Sequence, residues 1–285
     1  MIEITHTEEA VLRRADLLHA GLRPKQITAA VRAGSLLRLR RDRYMVAAQE
    51  GIDRAVRIGG RVGCVSALAS LGAFVFDRTK LHVHFDRSMS RLRSPDDRSR
   101  PFLAKDRDTV VLHWWPLTEP CSRGLVSVAD AVAQAVRCQD ARSAVATIDS
   151  VLHLGIIAMD DLRDVFASLP ARYRVILTLA DASAEAGSET FMRLILRQAG
   201  LSYRTQVSIP AVGRVDFLVE GWLIIECDSK AHHEGWDKQR SDRRRDLAAA
   251  ALGFTTIRPL AEDLFFHRDV VVAAVRGLVA ARRRA

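Results

Sequence analysis

The chain has 285 residues, 48% of them hydrophobic, and a formal net charge of +9 with 27% charged residues. That length holds about two domains at roughly 150 residues each, and the basic balance favours an anionic partner, nucleic acid first. No apolar run reaches the ~18 residues that span a membrane, and no basic stretch followed by an apolar one opens the chain, so a cytoplasmic location and no membrane partner are expected.

Residues 8–19 carry Val11, Leu12, Ala15 and Leu18 at helical spacing, and Gly21 breaks the pattern. Pro24 opens a second helix, where its missing N–H costs nothing; Ile27, Ala30 and Val31 form its inner face, and Gly34 ends it. Leu37 and Leu39 then alternate with Arg38 and Arg40, a turn follows at Arg41-Asp42-Arg43, and Tyr44-Met45-Val46 returns. This predicts a small hairpin with one apolar and one basic face. Helix, turn, helix, basic hairpin is the order of a winged helix-turn-helix.

Gly34, Leu36 or Leu37, Arg38, Leu39, Arg40 and Tyr44 resemble the N-terminal domain of AbiEi-type antitoxins, except that Asp42 stands where that family has a turn glycine. The resemblance covers about 45 residues. It implies duplex DNA as partner, with Arg38, Arg40, Arg41 and Arg43 as the wing contacts, and a partner protein from a toxin–antitoxin or defence operon.

Residues 52–76 read as two helices broken at Gly59-Gly60. Residues 81–85 and 109–115 read as strands, and the polar stretch between them as an exposed, mobile loop. Residues 125–168 hold two or three helices and 171–182 another. His82 and His84 face one way on a strand, as two metal ligands can, but the sequence puts no third ligand beside them. Cys64, Cys121, Cys138 and Cys227 show no paired spacing, which fits reduced thiols and provides no zinc framework.

From Gly187 the pattern changes. Ser188 is placed to cap a helix whose inner stripe is Phe191, Leu194, Ile195 and Ala199, ended by Gly200. Three strands follow, the second (215–219) and third (222–228) joined by a tight turn at Glu220-Gly221. A polar helix over 236–252 and a last strand at 255–258 complete an α-β-β-β-α-β order. Leu223-Ile224-Ile225 marks a buried strand, and Glu226 and Asp228 at its end share a face. The hairpin brings Asp216 beside them. Three carboxylates at such a place are costly unless neutralised; Mg²⁺ or Mn²⁺ on Asp216, Glu226 and Asp228 would neutralise them, and would activate water for phosphodiester hydrolysis.

Val215-Asp216-Phe217, Ile225-Glu226-Cys227-Asp228, His233, Asp242-Arg243, Arg245 and Gly253 resemble the PD-(D/E)XK nuclease superfamily, in its very-short-patch-repair-like (Vsr-like) branch, over about residues 187–268. Ser229 stands where the branch has glycine. Two alignments stay open: Glu226-Cys227-Asp228 fills the D/E-X-K slot with Asp for Lys, or Asp228-Ser229-Lys230 fills it literally. The resemblance implies Glu189 as a further carboxylate and makes Lys230 a candidate. His233 is a candidate acid or base. Arg240, Arg243 and Arg244, just after the acids, are candidate phosphate contacts, and Arg282-Arg283-Arg284 reads as a frayed tail.

The expected class is α/β (α+β overall): a winged helix-turn-helix in 1–50, a mixed α/β region in 51–182 and a restriction-endonuclease-like domain in 183–285. The expected function is a metal-dependent DNA endonuclease targeted by its first domain. The alternative is an AbiEi-like transcription regulator or antitoxin whose nuclease domain is degenerate.

Overall fold

The computed structural model describes residues 10–49, 51–227 and 236–284, with side chains described at all of these except 236–239. The chain divides into two compact units, Met1–Ala144 with Gly155–Thr178 and Val145–Leu154 with Leu179–Ala285. The class is mixed α/β. No helix among the described residues is long and apolar enough to cross a membrane.

The first unit opens with α1 (Arg14–His19) and α2 (Pro24–Arg32), then the hairpin of β1 (Leu37–Arg40) and β2 (Arg43–Met45). Helix, helix, hairpin is the expected order. The helical pattern expected before Arg14 is not followed: Leu12 is extended and exchanges backbone hydrogen bonds with Tyr44, 2.8 Å each way. Leu12 and Val11 are buried in that conformation, so their apolar spacing served a strand-like bridge instead of a helix. Leu12, Leu17, Ile27, Leu36 and Tyr44 form one core. Asp42 has φ 57°, the left-handed region that glycine favours and that Asp tolerates, and its Oδ1 accepts the Arg14 N–H at 2.7 Å. The departure from the turn glycine therefore keeps the turn and adds a tie to α1.

The unit continues through α3 (Ile52–Ile58), β3 (Arg61–Val62), α4 (Cys64–Ser70), β4 (Leu81–His84), β5 (Val110–His113) and α5 (Val128–Cys138). Helix α6 (Ala141–His153) contains the division between the units; α7 (Met159–Ala167) and α8 (Arg174–Leu179) follow. The sheet runs β3-β4-β5, antiparallel then parallel. The segment between β4 and β5 is largely exposed, as expected, but it is tied down where Ser94 is buried and where Arg100 bridges to the buried Asp106 at 2.6 Å.

The second unit holds α9 (Gly187–Ala199), β6 (Tyr203–Ile209), β7 (Gly213–Val219), β8 (Leu223–Ile225), α10 (Trp236–Ala251), β9 (Thr255–Ile257), α11 (Ala261–Phe266) and α12 (Arg268–Arg284). From α9 to β9 this is the expected α-β-β-β-α-β order. The sheet order is β6-β7-β8-β9, with β9 parallel to β8 and α10 as the crossover. Glu220 and Gly221 both have positive φ, 51° and 78°, which makes the β7–β8 connection the tight hairpin turn expected. Leu223, Ile224 and Ile225 are at most 1% exposed, and each such side chain contributes about 1.5–3 kcal/mol by burial. Strand β8 ends at Ile225, shorter than expected. Ser188 does not cap α9; it is buried within the helix and Ala186 holds the cap position. Arg282 to Arg284 end α12 instead of fraying, with the Arg282 guanidinium 5.5 Å from the Trp222 ring centroid.

Helix α9 is fixed by a buried charge. Asp149, on the final turns of α6, accepts from Arg193 at 2.6 Å, from Thr190 Oγ1 at 2.7 Å and from the Asp181 backbone N–H at 2.7 Å. Asp149 and Arg193 are 0% and 3% exposed. Breaking such a pair strands the remaining charge in a dry interior. Asp149→Ala is expected to cost about 3–5 kcal/mol, measured by denaturant unfolding. The paired change Asp149→Leu with Arg193→Met should recover most of the loss, and an Asp149→Ala midpoint equal to wild type would show that the pair is solvated.

Candidate functional site

Asp216 lies on β7 between the buried Val215 and Phe217. The β7–β8 register, Phe217 against Ile225, sets Asp216 opposite Glu226 when continued by one residue. The Asp216 Oδ2 accepts the Cys227 N–H at 2.7 Å. On the other side the ladder skips from Thr205–Phe217 to Val207–Val215, which leaves Gln206 opposite Asp216 with φ 51°. A non-glycine residue held there carries strain that its surroundings must enforce. The Gln206 Nε2 donates to Glu189 Oε2 at 2.9 Å, and the Glu185 N–H donates to the same oxygen at 3.1 Å. The Gln206 Oε1 is buried and has no hydrogen-bond partner among the described residues.

Asp216, Glu189 and Glu226 thus lie near Cys227, whose backbone N–H bonds the first of them. Burial, then Asp216, Glu189 and Glu226 in that order, push the Cys227 thiol well above its usual range. Burial is the leading cause at each acid. It raises Asp216 against the Cys227 N–H bond, and raises Glu226 against Arg245 and with Asp216. Burial and the Asp216 charge push Glu189 up to about 7.

Two arginines stand beside Glu226, one of the acids expected to need a cation. Arg245 donates to Glu226 Oε1 at 2.9 Å, to the Arg214 carbonyl at 2.6 Å and, through Nε, to the Val212 carbonyl at 2.9 Å. Arg258 stands 3.9 Å from Glu226 and 3.0 Å from Asp246. Guanidinium charge therefore already meets Glu226. Asp216, Glu226 and Glu189 do not converge into a three-ligand group among the described residues. Asp228, Lys230 and His233 lie outside the described residues. Within the motif run on α10, Arg245 points to the acids while Arg240, Arg243 and Arg244 are exposed. Gln206 and Arg258 belong to the site and were not read from sequence, and Arg245, matched there to the motif, was given no role at the acids. Their signal is three-dimensional, since each reaches the acids from a different element.

In the first unit Arg38 and Arg41 are exposed, as expected of wing contacts. Arg40 is not available in that way: it donates to the Ile58 and Arg91 carbonyls at 2.7 Å each. Its alternation with Leu39 placed it on the basic face, but the half-buried guanidinium turns inward to neighbouring carbonyls. Arg13, Arg40, Arg41, Arg43, Arg61 and Arg123, with Asp86, line a cavity of about 160 Å³. Burial, then Arg13, holds Arg43 below its usual value, the mark of cations crowded together.

Elsewhere in that unit Cys64, His82, His113 and Cys138 bring their ligand atoms within 4.8 Å of one another. The sequence put no third candidate ligand beside His82 and no paired spacing on the cysteines, and the fold brings these four groups together from distant positions. His84, the supposed companion of His82, instead bonds Gln134 at 3.2 Å. No family model matches the chain, and no curated protein matches it.

The Glu189 value has a thermodynamic consequence. Its folded value of about 7 lies above the usual 4.5, so the folded state holds the proton more tightly than the unfolded one. That contribution is fully present below about 4.5 and is lost as pH rises toward about 7. Wild type should therefore lose melting temperature between about pH 5 and about pH 8 more steeply than Glu189→Gln. Parallel pH profiles by thermal unfolding would place the Glu189 carboxyl in water.

Proposed function

We propose that this chain is a metal-dependent DNA endonuclease. The observation that carries the reading is Asp216 set opposite Glu226 across the β7–β8 hairpin, with Glu189 held by Gln206 beside them and a buried Gln206 Oε1 that has no hydrogen-bond partner among the described residues. An open acceptor among half-buried carboxylates is a donor set for a hard cation. Asp216 and Glu226 would hold Mg²⁺ or Mn²⁺, with Asp228 as the third carboxylate that the motif assigns. Bound there, the metal supplies an activated water and takes up charge that develops on the phosphate. Glu189, held near neutrality, is suited to exchange a proton with that water at working pH. Arg245 orients Glu226, and Arg258 balances the remaining charge. Lys230 and His233 stay candidates on the motif alone.

DNA is the substrate favoured by the basic side of the first unit. Arg38, Arg41 and Arg43 offer phosphate contacts there, and the arginine-lined cavity suits one phosphate. On α10 the exposed Arg240, Arg243 and Arg244 offer further contacts. A second reading is a transcription regulator or antitoxin of the AbiEi type with a degenerate nuclease site. The Arg245–Glu226 ion pair favours it, because a guanidinium already occupies an acid that a cation would need.

The two readings separate in one experiment. The full chain is incubated with Mg²⁺ or Mn²⁺ on duplex DNA, single-stranded DNA and RNA, with EDTA and Asp216→Asn as controls. Cleavage of DNA that EDTA stops, and that Asp216→Asn reduces to the EDTA level, is the expected result. Cleavage that survives either control overturns the metal site at Asp216, and no cleavage on any substrate alongside tight duplex binding selects the regulator. For binding, Arg41→Ala with Arg43→Ala should weaken duplex affinity and lower the salt slope by ~0.9 for each phosphate no longer neutralised. An unchanged slope would move the interface elsewhere.

A further inference from the structure

We infer that Cys64, His82, His113 and Cys138 form a tetrahedral zinc site that clips helices α4 and α5 to the β4–β5 sheet. Four donor atoms, one from each side chain, lie within 4.8 Å of one another. His82 Nδ1 and His113 Nε2 are 3.0 Å apart, and Cys138 Sγ is 3.7 Å from His82 Nδ1. Zinc bonds of ~2.0–2.1 Å to nitrogen and ~2.3 Å to sulfur give a tetrahedron with edges of roughly 3.3–3.8 Å. Both measured edges fit within a few tenths of an ångström.

The donor chemistry selects the metal. Two thiolates and two imidazoles are the ligands of zinc, while Mg²⁺ and Ca²⁺ take oxygen. Two thiolates also balance a dipositive ion, so the filled site carries no net charge into the interior. Cys64, His82 and His113 are buried at 0%, 9% and 5% exposure. With all four positions held by protein there is no place for water, which makes the site structural and not hydrolytic.

The surroundings are built to aim these groups. Cys64 is the first residue of α4 and has φ 53°, a left-handed backbone that a β-carbon makes costly. Its N–H donates to Gln134 Oε1 at 3.0 Å, which fixes the strained residue from α5. Gly63 before it permits this approach: a β-carbon there would sit 2.6 Å from that same oxygen. The His82 backbone N–H is held by Ser66 Oγ at 2.9 Å. His113 stacks on Trp115 with centroids 4.7 Å apart. Cys138 closes the set as the last residue of α5. Partners that orient metal-binding side chains are a recurrent need of such sites.

A hydrogen-bonded cluster without metal is the rival, and metal analysis of the full untagged chain decides between them. Purified under reducing conditions and passed through gel filtration after zinc exposure, the chain should retain about one equivalent of zinc. With Co²⁺ in its place it should show the visible absorption of tetrahedral cobalt with thiolate charge transfer. Cys64→Ser and Cys138→Ser should lose both signals, while Cys121→Ser and Asp216→Asn keep them. That last control separates this site from the carboxylate site of the proposed nuclease. If the cysteine variants do not fold, X-ray absorption on wild type answers alone, two sulfur and two nitrogen neighbours being the expected shell. No retained zinc, an oxygen-only shell, or a Cys64–Cys138 disulfide in the reduced preparation would overturn the inference.

Discussion

The second unit depends on an ion pair closed off from the surface. Asp149 and Arg193 face each other in a fully buried place, and the carboxylate takes up Thr190 and the Asp181 backbone as well. Desolvating both charges is repaid in part by such added hydrogen bonds, although the buried Arg193 Nε has no hydrogen-bond partner among the described residues. One turn before Arg193 on the same helix sits Glu189, so the pair that locks α9 also sets where that acid meets Gln206 and Asp216. The acid edge is therefore placed by a rigid neighbour, which is what preorganised chemistry requires. Its carboxylates follow the same rule: each has a protein donor, and Glu189 is pushed furthest toward keeping its proton.

The first unit gathers buried polarity of another kind. Around Cys64, His82, His113 and Cys138 the groups are soft donors, and two thiolates there would offset the charge of one dipositive ion. Set beside the carboxylate edge, the two clusters differ in hardness as well as in place. A cation suited to thiolate and imidazole and one suited to carboxylate oxygen would sort between them by chemistry, with little competition.

Much of the second unit could be read in the sequence because its signals are local. The apolar run Leu223-Ile224-Ile225 declared a buried strand, Glu220-Gly221 declared a turn needing positive φ, and Gly200 a left-handed helix end at 69°. Asp216 and Glu226 came together because hairpin register follows from the turn. What could not be read depends on distance along the chain. The Cys/His cluster draws one residue each from α4, β4, β5 and α5, so no short spacing announces it. Arg245 and Arg243 sit on one polar helix with almost the same composition around them, and only the packed fold shows which turns inward. The wing arginines show the same limit. Alternation placed Arg38 and Arg40 on one face, yet Arg40 found two carbonyls and Arg38 did not follow it. The apolar pair Val11-Leu12 could pack as well in extended form as in a helix, and its partner strand decided.

Arg245 joins things that are usually separate. Its guanidinium holds the carbonyls of Val212 and Arg214 at the start of β7 and the carboxylate of Glu226 just past β8, while its stem belongs to α10. The docking of α10 and the charge on Glu226 are thus two readings of one equilibrium. A ligand or proton that neutralises Glu226 removes one of the arginine's anchors, and its affinity is reduced by whatever that anchor contributed to holding the helix. Reciprocity then runs the other way: contacts that pull α10 outward lend their free energy to whatever replaces the arginine at Glu226. Polyanion contacts along the exposed arginines of α10 and occupancy of the acid edge would in that case be coupled through a single side chain.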